Sequence, residues 1–123
     1  MTISQQLLIT FSAGQSVSSS FQVSPAMRIA AIGVPAGWTA ADIGFNVGNT
    51  VDANGNLTGG SPLYNSAGAV YSVKAAAGKV TLCPPQDLTT FPVYQLTSLA
   101  VGTANAQNQA SAVTLTVYMD DAF

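Results

Sequence analysis

The chain contains no histidine and no glutamate, has one cysteine, and sets three cations against five acids. Without histidine, a Ser-His or Cys-His nucleophile pair is excluded, and so is a histidine metal site. The acids are all aspartates (Asp42, Asp52, Asp87, Asp120 and Asp121) and show no spacing suited to paired acid/base work. No glycine-rich phosphate loop is present. These absences point away from an enzyme and from any cofactor. Arg28, Lys74 and Lys79 are too few to release counterions from a nucleic acid, so no nucleic-acid partner is expected. The single Cys83 excludes an intrachain disulfide, and its apolar surroundings suit a small buried hydrophobe. No apolar run is long enough to span a bilayer, and the first residues lack the basic start and apolar stretch of a signal peptide. Synthesis in a cytoplasm, without a membrane partner, is expected.

Charge is scarce as well. Only 7% of residues are charged, against about 25% in ordinary soluble domains, and the net charge is −2. The exposed surface must then be built from Ser, Thr, Asn, Gln, Gly and Ala. Such a surface repels copies of itself weakly and costs little to desolvate, which suits an assembly component. At 123 residues, the chain fits one domain that buries roughly two thirds of its unfolded surface.

What is abundant is β-type alternation. Residues 6–11 place Leu7, Ile9 and Phe11 on one face. In 17–23, Val17, Phe21 and Val23 share a face with Ser19, while Ser18, Ser20 and Gln22 face away. Two further runs, 27–34 and 43–47, flank a Pro35-Ala36-Gly37-Trp38 corner. There Pro35 ends the first run and Gly37 is expected to supply a positive φ. Residues 39–42 suit a single helical turn. Short strands are predicted over 62–65, 70–74 and 79–83, then 93–101 after Pro92, with 86–91 crossing an end of the fold. The cleanest strand is 113–119, with Val113, Leu115, Val117 and Met119 inward and Thr114, Thr116 and Tyr118 outward. Residues 48–62, with Asn54-Gly55 and Gly59-Gly60, read as a long exposed hairpin or loop. The tail 120–123 is expected to be mobile or to dock on a neighbour. With almost no helix and no internal repeat, the fold class is all-β. It is a single-domain, jelly-roll-like β-sandwich of about eight antiparallel strands.

Asp52-x-Asn54-Gly55 resembles a calcium loop in part, but its glycine comes early and no bidentate Glu follows, so a plain turn is expected. Asn56-Leu57-Thr58 matches a glycosylation sequon that a chain without a secretory signal would not present to the machinery. Trp38 has two readings: a ring that caps the core beside Phe45 and Val34, or an exposed sugar platform or interface anchor. Tyr64, Tyr71, Tyr94 and Tyr118 raise the same question, and the alternation singles out Tyr118 as outward. The interface candidates are Trp38, Tyr118, Thr114, Thr116 and Phe123.

The stretch Ile32-Gly33-Val34-Pro35-Ala36-x-Trp38-Thr39-Ala40-Ala41, with Phe45, is similar to a family of small tailed-phage head proteins. The similarity continues through Leu63-Tyr64-Asn65-Ser66-x-Gly68, Ala76-Ala77-Gly78-Lys79-Val80-x-Leu82, Ser98, Asn108-Gln109-Ala110 and Val113-Thr114-Leu115-Thr116-Val117. Two departures touch loops: 48–62 is longer than the usual Ser-x-Asp-Gly-type turn, and Leu-Ala-Val follows Ser98 in place of Gly-Thr. The resemblance implies a jelly-roll decoration, or cement, protein on the outside of a capsid. Its partners would be the major capsid protein and copies of itself, as dimer or trimer, and its location the virion exterior. It implies no catalytic residue. The rival expectation is a carbohydrate-binding β-sandwich of head-fibre or adhesin type that uses Trp38 or tyrosines as platforms.

Overall fold

The two longest strands, one of them strictly alternating over residues 113–119, pair with each other and set the frame. A computed structural model describes residues 3–24, 27–83 and 91–121. Among them, β1 (Ile3–Phe11) pairs antiparallel with β11 (Val113–Asp121), with Leu7 opposite Val117, Ile9 opposite Leu115 and Phe11 opposite Val113. These inward pairs put a continuous apolar stripe on one face. β3 (Met27–Gly33) adds to β11, and the short β9 (Val80–Leu82) closes that sheet. The second sheet runs from β2 (Val17–Gln22) to β10 (Val93–Leu99) and β4 (Asp42–Gly48). It ends on two short strands beside β4, β7 (Ser61–Pro62) and β8 (Ser72–Val73). Phe11 opposite Ser18 joins the two halves into one curled antiparallel sheet. The chain changes sheets at each of the steps β1–β2, β2–β3, β3–β4, β8–β9, β9–β10 and β10–β11, which is the jelly-roll path. A separate hairpin, β5 (Thr50–Val51) with β6 (Leu57–Thr58), accounts for most of 48–62.

The inward faces of both sheets form one core. Phe11, Ile29, Ile32, Leu115, Val117 and Met119 from the first sheet meet Phe21, Ile43, Phe45, Tyr94 and Leu96 from the second. Phe21 stacks on Tyr94 at 5.9 Å between ring centroids, and Phe45 meets Tyr94 edge to face at 6.3 Å. Cys83 is buried, as its surroundings suggest.

Several local expectations are corrected. In β2 the register slips between Gln95 and Thr97, so that Gln95 faces Ser20 while Thr97 faces Val17. This bulge inverts the predicted alternation: Val17 is exposed and Ser18 is buried. The Ser18 hydroxyl accepts from the Leu96 amide at 3.0 Å and donates to the Ser19 carbonyl at 2.8 Å, which is how a serine is tolerated there. Gly37 does not adopt a positive φ; the Trp38 amide donates to the Pro35 carbonyl at 3.2 Å and closes the corner without it. Residues 39–41 stay irregular instead of making a helical turn, because Thr39 is tied to Gln109 by two hydrogen bonds. The predicted strand 62–65 shortens to β7 and an isolated Tyr64–Val70 bridge. Pro92 is the entry to β10, an interior strand, and its carbonyl accepts from the Val23 amide at 2.8 Å. The predicted crossing at 86–91 falls, apart from Phe91, outside the described residues, as do Asp87 and Phe123.

Candidate functional site

The outward face of the first sheet gathers the feature that most resembles a binding surface. Cross-strand register makes three rows: Gln6, Tyr118, Ala31 and Leu82; Leu8, Thr116, Gly33 and Val80; and Thr10 with Thr114. Leu8 is 72% exposed, Val80 60% and Leu82 78%. Single exposed aliphatics are ordinary on protein surfaces, but three on one four-stranded face are not scattered. Thr10 and Thr114 bring their hydroxyls to 3.2 Å. The Tyr118 ring lies over Gly33, whose missing Cβ would sit 3.3 Å from Tyr118 Cε2, so the ring packs against the sheet.

This face is nearly uncharged. Among the described side chains of its four strands, only Arg28 and Asp120 carry charge, and they neutralise each other at one end. Arg28 Nε stands 2.8 Å from Asp120 Oδ1, and Nη2 donates to Oδ2 at 3.0 Å. One charge-assisted hydrogen bond, the close Nε–Oδ1 approach and the burial of Asp120 fix the pair as part of the sheet.

Three of the five interface candidates, Thr114, Thr116 and Tyr118, therefore stand together on this face. Thr114 is exposed, while Thr116 and Tyr118 are half-buried. Trp38 follows the core reading and is corrected only as an interface candidate: it is 5% exposed, with its ring edge-on to Phe11 at 5.3 Å and Nε1 donating to the Ala41 carbonyl at 3.1 Å. An indole held on both sides this way is core, and offers no platform. The tyrosine that protrudes is Tyr64, 57% exposed, and Tyr94 is wholly buried. Burial pushes the Tyr94 phenol up to about 12, with the Phe91 backbone drawing it slightly the other way. Leu8, Val80 and Leu82 were missed as site residues. For Leu8 the signal existed, since inward Leu7 and Ile9 oblige it to face out. For Val80 and Leu82 it did not, because 79–83 alternates equally well with Thr81 and Cys83 outward. Only pairing to Gly33 and Ala31 turns Val80 and Leu82 to solvent.

Some of the motif pieces quoted above lie at turns and corners, while others, such as Val80-x-Leu82 and 113–117, lie on β9 and β11. Gln109, fully buried, receives the Thr39 amide on Oε1 at 2.8 Å and donates through Nε2 to the Thr39 carbonyl and to Ser98 Oγ. The Gly78 amide donates to the Val34 carbonyl, and the Val34 amide to that of Lys79. Asn65-Ser66-Ala67-Gly68 folds as a turn in which Asn65 Oδ1 accepts from the Ala67 and Ala69 amides. Asp52-Ala53-Asn54-Gly55 repeats that pattern, with Oδ1 accepting from Asn54 and Asn56. Gly55 and Gly68 take φ of 82° and 85° at the same place in each. Hydrogen bonds from the Asn56 and then the Asn54 backbone hold the Asp52 carboxyl below its ordinary 3.8. Among the described residues, no cluster of three or more His, Cys, Asp or Glu side chains could hold a metal ion.

No protein-family model, curated protein or solved structure matches this chain.

Proposed function

We propose that this protein is a non-catalytic structural component of a virion that decorates the outside of a phage head and braces contacts between major capsid subunits. The observation that carries this reading is the nearly neutral face formed by β1, β11, β3 and β9, with Leu8, Val80 and Leu82 open to solvent. Burying such a face costs little desolvation, because the charges among its described side chains, Arg28 and Asp120, are already paired. Each copy that covers apolar surface across a subunit boundary binds the closed shell better than the opened one, and so stabilises it by mass action. The scarcity of charge over the whole chain also favours contacts between copies. The motif resemblance supplies the partner, and the jelly-roll architecture is compatible with it.

The test is a heating series on heads of the encoding phage, with the protein present, stripped and added back. Stripped heads should stay closed but break at lower temperature. Added protein should restore resistance, saturate at a fixed copy number, and rebind with weak salt dependence because little charge is involved. Identical breakage with and without the protein would sink the reading.

A further inference from the structure

The opposite face of the sandwich carries a different feature. On the second sheet, Asn46 of β4 and Thr97 of β10 floor a hollow of about 210 Å³. Tyr64 and Val70, the residues of an isolated bridge, form one wall, and Ala104 and Ala106 form the other. Both walls are tied to the central strands. The Leu63 amide donates to the Phe45 carbonyl at 2.9 Å and the Gln107 amide to that of Ser98 at 2.8 Å. The groove is therefore formed before any ligand arrives.

Its chemistry restricts what fits. Asn46 Nδ2 donates to Gln95 Oε1 at 3.0 Å and Gln95 Nε2 to the Ser18 carbonyl at 3.0 Å, so the amide of Asn46 is held with Oδ1 available. Thr97 Oγ1 has no hydrogen bond among the described residues and serves as donor and acceptor. No charged side chain lines the hollow, so an ionic ligand finds no counter-charge. A wholly apolar ligand would strip water from Asn46 and Thr97 without replacing their bonds. The volume lies below the roughly 300–1,000 Å³ of sites for drug-sized molecules. What remains is a small neutral molecule with one apolar face and several hydroxyls.

We propose that this groove binds a single ring of a neutral saccharide, with the exposed Tyr64 ring covering the sugar's C–H face while Asn46 and Thr97 take hydroxyls. The site is independent of the shell-facing surface, since it lies on the other sheet.

The test uses the full chain, labelled with ¹⁵N and titrated separately with methyl glucoside, methyl galactoside and N-acetylglucosamine, each to about 100 mM, because a one-ring site is expected to bind at millimolar strength. At least one sugar should give saturable shifts clustered at Asn46, Tyr64, Thr97 and Ala106. Tyr64→Ala should weaken that sugar by about tenfold or more, and Tyr64→Phe by less than about threefold. Thr97→Val, which keeps the side chain's shape, should also weaken it. Tyr64 is more than half exposed, so its variants should melt with the parent. No saturable shift with any of the three sugars, shifts confined elsewhere, or equal affinity in Tyr64→Ala would overturn the proposal. Head breakage in the heating series should not respond to Tyr64→Ala, so either proposal can fail without the other.

Discussion

Replacing Leu8 or Leu82 by glutamate separates surface from core more sharply than any other change. Both side chains are over 70% exposed, so the folded chain gains little from them, and the variants should unfold within about 0.5 kcal/mol of the parent. On a shell, burying one leucine contributes about 1.5–3 kcal/mol, which corresponds to roughly 10- to 150-fold in affinity. Glutamate forfeits that contribution and also places an unpaired carboxylate in a drying interface, so each variant should lose about 100-fold or more. Leu8 on β1 and Leu82 on β9 are separated by β11 and β3, roughly 14 Å at the usual strand spacing. At that distance their losses should add. Co-sedimentation with stripped heads over a range of protein concentrations measures binding, and urea unfolding followed by circular dichroism measures stability. If both variants saturate the heads at the parent's concentration while folding normally, the first sheet's outward face is not the attachment surface.

Trp38→Ala should cost about 3–5 kcal/mol, because it empties a core site and leaves the Ala41 carbonyl without its donor; a urea midpoint equal to the parent's would show the indole to be dispensable. Ser18→Ala should cost about 1–3 kcal/mol by leaving the Leu96 amide unpaired at the β2 bulge, and the same unfolding assay decides it. Tyr94 has its folded pKa raised above 10.0, so it contributes stability that is complete below pH 10.0 and lost as pH rises through about 12. Ultraviolet titration should show one tyrosine ionising last, near that pH or together with unfolding, and Tyr94→Phe should remove that step.

Much of this architecture is local and was open to reading from residue order. The alternation in 113–119 names its inward set correctly, since a strand buried on one face must repeat every second residue. The pairs Asn54-Gly55 and Ala67-Gly68 mark turns because only a residue tolerant of positive φ closes them. The Pro35–Trp38 corner was legible as a reversal, although the burial of its tryptophan rests on Phe11, a partner 27 positions earlier in the sequence.

The residue order by itself determined a nearly uncharged, all-β chain without histidine or glutamate, because composition and period-two alternation require no partner strand. The tertiary structure alone decided where the surface apolar residues collect. Val80 and Leu82 turn outward only when β9 pairs with Gly33 and Ala31, and Val17 does so only because a bulge shifts β2 against β10. Tyr64 becomes the wall of a groove only because the loop after β10 folds back over the same sheet, with Ala106 bridged to Leu99. A one-residue change of register reverses the face a side chain occupies, and register is set by contacts between strands distant in sequence, which local pattern does not contain.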